Sequence, residues 1–236
     1  MAICEVPLPD IRPLLCHRYA ILSEWLEFRG RNYTHAGFLD VGDAYFQRDP
    51  FKRIRCHGMT VFTETAAIKL AARENIHRDH YKHHCSTGFD QMRHLPPINS
   101  GAYFGDRRSF LATMQACQRK IAKCGMGYDQ GTFTEVLYNE TPPSDVGVYT
   151  TEHGPVASVA LSRTLQVDLS GDVLNEAGEA YAIVHQFDRF DSLRAHHQRR
   201  WPIDVTKAPI NLDGAALRRY VAHDTESTTD PFVGRR

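Results

Sequence analysis

The chain has 236 residues, 42% apolar and 24% charged, a globular composition that excludes disorder and allows one domain with a sizeable core. Lysine plus arginine equals aspartate plus glutamate at 28 each, so no cationic excess recommends nucleic acid as a partner. No apolar run approaches the roughly 18 residues of a membrane span, and the N-terminal segment lacks the layout of a signal peptide.

Pro13 and the spacing of Leu15, Tyr19, Leu22 and Leu26 predict an amphipathic helix stopped at Gly30. The stretch GFLDVGDAYFQRDPF, residues 37–51, begins as the end of a buried strand and leaves the core through Asp40 and Asp43. Residues 59–62 predict a short strand and residues 65–74 an alanine-rich helix, followed by an irregular, histidine-rich stretch over 77–97. INSGAYFG, residues 98–105, reads as a strand with a glycine bend. Phe110, Met114, Cys117, Ile121 and Cys124 mark one face of a second helix, ended by Gly125 and Gly127. From residue 146 the pattern becomes short strands, closing with YAIVHQFDR at 181–189. The alternation implies a single α/β domain over 1–205, with a mixed, mostly parallel central sheet flanked by helices, and a polar tail over 206–236. Six cysteines (Cys4, Cys16, Cys56, Cys85, Cys117, Cys124) without CxxC spacing imply free thiols in a reducing compartment, hence the cytoplasm.

Four clusters carry polar chemistry, each with a plainer reading beside it. Asp40 and Asp43 would diverge on a straight strand, but Gly42 permits a bend that turns them together. Paired carboxylates repel unless a cation such as Mg²⁺ or Mn²⁺ lies between them or one takes up a proton; the alternative is a solvated acidic turn. Asn99, Ser100 and Gly101 would let a ligand approach the backbone, or form a strand bulge with a satisfied amide. Asp129 and Gln130, in a glycine-flanked loop, suit sugar hydroxyls or ordinary turn chemistry. His185 sits at the end of a buried strand, as a ligand or a structural hydrogen-bonder.

Taken in order, these clusters resemble the A-type fold glycosyltransferases that use nucleotide-diphosphate sugars. The likeness is to the nucleotide-diphospho-sugar transferase group, and it runs from Arg18 to Arg189, most specifically through Phe46–Phe51 and His185–Arg189. The resemblance implies Mn²⁺ or Mg²⁺ as cofactor, with Asp40, Asp43 and His185 as its ligands. It implies that Arg18, Asp40, Asn99, Ser100 and Gly101 bind the donor, and that Asp129 and Gln130 are catalytic, beside the transferred sugar. An Asp-Gln pair further implies retention at the anomeric carbon. The acceptor, whether glycan, lipid-linked or protein, is not identified.

Two positions depart from that pattern. Gly42 stands where the group usually has arginine, and only 39 residues precede Asp40, fewer than the group devotes to its nucleotide-holding strands. The chain is therefore expected to be N-terminally truncated, with a Golgi lumen location if the natural chain carries an anchor. The rival reading is a non-catalytic remnant of the same fold acting in binding or assembly, and a third is a divalent-metal hydrolase on the same acids. His77, His80, His83, His84 and Cys85 suggest zinc but lack a second ligand cluster, and residues 194–201 read as a solvated basic helix face.

Overall fold

The computed structural model describes residues 11–55, 57–64, 69–70, 89–124, 129–161 and 165–202. The chain divides into Met1–Arg194 and Ala195–Arg236, and the elements that position the site all lie in the first unit. Most of the helix expected over 65–74, the histidine-rich cluster and the tail beyond 202 lie outside the described residues.

Helix α1 (Ile11–Phe28) forms where the apolar spacing places it. Tyr19 and Leu26 are buried, Leu22 and Trp25 pack against the same cluster, and the chain turns out at Gly30, whose N–H reaches the Trp25 carbonyl at 2.7 Å. The next helical turn, α2 (Phe89–Met92), falls inside a stretch expected to be irregular, and Phe89 and Met92 are both buried. Helix α3 (Arg107–Cys124) carries the second predicted face: Phe110, Met114 and Cys117 are buried in one cluster and Ile121 packs against it. Cys16 and Cys117 are buried thiols.

The strands form two main sheets. The larger has the order β1 (His35–Leu39), β4 (Ile98–Asp106), β3 (Met59–Thr63), β5 (Val146–Tyr149). The smaller has the order β2 (Ala44–Phe46), β9 (Ile183–His185), β6 (Val156–Ser158), and β7 (Gln166–Val167) pairs only with β8 (Val173–Leu174). The architecture is the mixed α/β arrangement expected, but among the described residues the pairing is mostly antiparallel rather than mostly parallel: β3–β5 and β6–β9 are parallel, whereas β1–β4, β3–β4, β2–β9 and β7–β8 are antiparallel. One face of the larger sheet (Met59, Val61, Tyr103) packs with α1 and α3 residues. Its other face (Phe62, Ala102, Phe104) meets Val156 and Ile183 of the smaller sheet. The outer face of the smaller sheet, with Tyr45, Ala157 and Val184, closes a further cluster.

Strand β4 is not straight. Val61 pairs with Tyr103 and Thr63 with Ile98, so two steps along β3 oppose five along β4. Ile98 and Tyr103 lie in the same cluster although an odd spacing would send them to opposite faces of a regular strand. A bulge at residues 99–102 accounts for both facts.

Asp129 begins a helix, α4 (Asp129–Glu135), rather than lying in the expected loop. Phe133, Val136 and Leu137, at i, i+3 and i+4, all enter the main core, and that burial outweighs the local turn chemistry of Asp-Gln-Gly. A π-helical turn (Val136–Glu140) continues it. The basic stretch near residue 194 is part of α5 (Asp191–Arg200). No helix among the described residues is long and apolar enough to cross a membrane.

Asp106 ends β4 and caps α3. Its carboxylate accepts the Ser109 N–H at 3.0 Å, the Ser109 hydroxyl at 2.8 Å and the Gly58 N–H at 2.6 Å. Burial disfavours the charge, but these bonds outweigh it and hold the pKa below the usual carboxylate value. Asp106→Ala is expected to cost about 1 kcal/mol, or somewhat more because Gly58 also loses its acceptor. Because the folded-state pKa is depressed, the stabilisation is full above the unfolded carboxyl pKa and vanishes as pH falls through the folded one. Urea unfolding of both proteins checks this: the gap present at neutral pH should close in acid.

Candidate functional site

The segment linking β1 to β2 crosses from one sheet to the other. Leu39, the last residue of β1, pairs with Ala102, and the Asp40 N–H donates to the Gly101 carbonyl at 2.8 Å. Ala44, the first residue of β2, pairs with His185. The Asp43 carbonyl accepts the N–H of Gln186 at 2.7 Å and of Phe187 at 3.2 Å. Gln186 adopts a left-handed conformation, φ 65°, which is uncommon outside glycine and lets both donors reach one carbonyl. Each acid is therefore tied by its backbone to a different sheet.

This brings three side chains together. Nε2 of His185 lies 3.4 Å from Oδ1 of Asp43 and 4.0 Å from Oδ2 of Asp40. His185 is 2% exposed, and neither its ring nitrogens nor Asp43 Oδ1 have a hydrogen-bond partner among the described residues. Gly101 makes the approach possible: a Cβ there would stand 2.4 Å from His185 Cε1 and 2.6 Å from Asp40 Oδ2. Burial raises the Asp40 pKa; Arg18 and His185 pull it down, Asp43 and Asp129 push it up again, and the net direction is upward. No group of three His, Cys, Asp or Glu side chains among the described residues is placed to hold a metal ion.

A second network abuts the first. The Arg18 guanidinium pairs with Asp129, donates to the Ser100 carbonyl at 3.1 Å, and lies 3.8 Å from Asp40 Oδ1. It stacks over the Phe38 ring, 4.9 Å from its centroid. The Ser100 hydroxyl also donates to Asp129, at 3.1 Å. Burial opposes the Arg18 charge, yet Asp129, Tyr19, Tyr103 and Asp40 together outweigh it and its pKa is raised.

The remaining sequence candidates are engaged with backbone. The Asn99 carboxamide accepts the Gly101 N–H at 2.7 Å, the satisfied bulge offered as its plainer reading. Gln130 Nε2 donates to the Ile98 carbonyl at 3.0 Å. Gly42 requires a correction. It is exposed, a Cβ there would meet nothing within 4 Å, and its φ is not positive, so the turn does not depend on a glycine. The bend comes instead from anchoring Asp40 and Asp43 to separate sheets. Two neighbours escaped the sequence reading. Phe38 was visible as the apolar residue two before Asp40, whereas Ser158, beside His185, had no local signal because only strand pairing puts it there.

No family model and no curated protein matches the chain. Among solved structures it is similar to a glycosyltransferase involved in the glycosylation of the major capsid of PBCV-1, with 14% identity and a TM-score of 0.49, over 82% of this chain and 81% of that one.

The two glycines give a paired test. Gly101→Ala forces a methyl group into His185 and Asp40 and is expected to destabilise by about 1–3 kcal/mol. Gly42→Ala, in open space, should be neutral or stabilise by up to about 1 kcal/mol through the unfolded chain. Thermal unfolding of both variants compares them, and equal losses would refute the close approach at Gly101.

Proposed function

We propose that the chain is a glycosyltransferase acting on a nucleotide-diphosphate sugar, with Mn²⁺ or Mg²⁺ held where Asp40, Asp43 and His185 meet. The observation that carries this reading is the facing pair of unmet atoms, Asp43 Oδ1 and His185 Nε2, 3.4 Å apart in a buried setting. Two ligands of one cation at about 2.1 Å each stand roughly 3–4 Å apart, a spacing that this one pair has. A carboxylate and an imidazole left unpaired side by side would each carry a desolvation penalty that a shared cation removes. The sequence resemblance supports the same assignment, because the acids, the Asn-Ser-Gly segment, Asp129-Gln130 and His185 follow in the order of the A-type enzymes.

In this reading Asp43 and His185 hold the ion, and Asp40 completes the acidic edge while its charge is balanced by Arg18. When bound, the cation neutralises charge that develops on the departing nucleoside diphosphate. Arg18, clamped by Asp129 and the Ser100 carbonyl, contributes a fixed positive charge beside the acids rather than a free arm. Gly101 lets His185 and Asp40 close against the backbone of β4. Asp129 and Gln130 bound the sugar side, with Asp129 acting through the orientation of Arg18 and Ser100.

Mn²⁺ should raise the melting temperature of the purified chain, by the equivalent of about 2.7 kcal/mol at one hundred times its dissociation constant. Asp43→Ala should abolish that rise without lowering metal-free stability, since it relieves repulsion with Asp40. Calorimetric titration of uridine- and guanosine-diphosphate sugars, with and without Mn²⁺, then tests the donor. An unchanged Mn²⁺ response in Asp43→Ala, or donor binding indifferent to Mn²⁺, would sink the proposal.

A further inference from the structure

A cavity of about 630 Å³ opens at the end of the larger sheet away from the acids and His185. It lies where β3 begins and β4 ends, between one side of α3 and the segment over residues 140–145. Asp106, on its wall, pairs with His35, the residue of β1 farthest from Asp40. The volume is within the range of sites that take small ligands.

The walls are held without any ligand. The Asp106 carboxylate accepts the Gly58 N–H at 2.6 Å, and Gly58 adopts φ 76° with the Asp145 carbonyl packed where a Cβ would stand. Across the cavity, Lys120 joins Glu140 at 2.8 Å and Glu135 at 2.7 Å, which fixes the end of the π-helical turn. Ala112 and Ala116, one turn apart on α3, keep the floor low between Arg108 and Arg119.

The polar lining contains groups of two kinds. Arg108 and Arg119 only donate, and neither guanidinium has an ion pair or hydrogen bond among the described residues. Other groups only accept. The hydroxyls of Ser109, Thr113, Thr141 and Ser144 already donate to Asp106, the Ser109 carbonyl, the Val136 carbonyl and Asp145, at 2.8 to 3.0 Å. Each oxygen therefore has only lone pairs left for a ligand. The carboxylates of Glu140 and Asp145 add further acceptors. A phosphate or carboxylate offers acceptors alone and would meet these acids; an ammonium offers donors alone and would meet the arginines. A sugar hydroxyl does both at one atom.

We propose that this cavity is a second binding site, for a short neutral oligosaccharide, whose hydroxyls accept from Arg108 and Arg119 and donate to the serine and threonine oxygens and to Glu140. The two arginines are eleven residues apart on one face of α3, about 16 Å along the axis, so a chain of sugars spans them and a single sugar does not. The site uses neither a metal nor the Asp40–Asp43–His185 trio, and its failure would leave the transferase reading standing.

Calorimetric titration of the full chain with maltotriose, cellotriose and mannotriose tests the assignment. At least one should bind with a dissociation constant of about 1 mM or tighter. Arg108→Ala and Arg119→Ala should each weaken that binding about tenfold, with the melting temperature unmoved because both side chains are exposed and unpaired. Thr113→Val, which removes an acceptor while keeping the shape, should weaken it too, and Asp43→Ala at the other end of the sheet should leave it unchanged. Absence of binding by all three sugars, or affinity indifferent to both arginines, overturns the proposal. Loss of binding in Asp43→Ala would move the sugar to the other site. Equal affinity for tetraalanine would make this a peptide site, and displacement by inorganic phosphate an anion site; either result overturns the sugar assignment.

Discussion

Backbone hydrogen bonds at the two ends of a four-residue turn hold the site together. The Asp40 N–H is tied to Gly101 of the larger sheet, and the Asp43 carbonyl to Gln186 and Phe187 beside the smaller one. Side-chain flexibility has little to do with where these acids lie, because each Cα is set by a ladder that continues into a strand pair, Leu39 with Ala102 and Ala44 with His185. The distance between the acids and His185 thus follows from how the two sheets pack, through Phe62, Ala102, Phe104, Val156 and Ile183. Changes in that apolar layer would act on the site without touching a polar atom.

The electrostatics follow from that placement. Asp40, Asp43 and Asp129 are drawn toward one region, and Arg18 is the cation paired with two of them. Its guanidinium lies against Phe38 and pairs with Asp129, which makes it a fixed charge in a poorly solvated setting, where Coulomb terms are larger than in water. Asp43 has no such counterion within the trio: its nearest basic group is His185, and the two are in contact without a hydrogen bond. That imbalance underlies the assignment of the trio, rather than the Arg18–Asp129 pair, as the place for an added cation.

The bulge in β4 serves both networks. Without the extra residues opposite Val61–Thr63, Gly101 would not bring its bare Cα against His185 and Asp40, and the Ser100 carbonyl and hydroxyl would not both turn to Arg18 and Asp129. Asn99 stabilises the distortion by taking the Gly101 N–H.

Much of this was legible in the residues themselves. Helical spacing in Leu15–Leu26 and Phe110–Ile121 specified both long helices, because a 3.6-residue apolar period has one good solution, a face packed on a core. The apolar runs at 59–62 and 183–184 became buried strands, and the position of Asp40, Asp43 and His185 at strand ends could be read as well. Other features were decided only in three dimensions. The helix starting at Asp129 prevailed because Phe133, Val136 and Leu137 reach the core, a gain that Asp-Gln-Gly cannot reveal locally. The irrelevance of Gly42, the necessity of Gly101 and the presence of Ser158 beside His185 all depend on which strands pair and in what register. Periodicity is written in neighbouring residues, whereas the strand pairing of β1 and β2 joins segments more than sixty residues apart and is settled by the packing of the whole core.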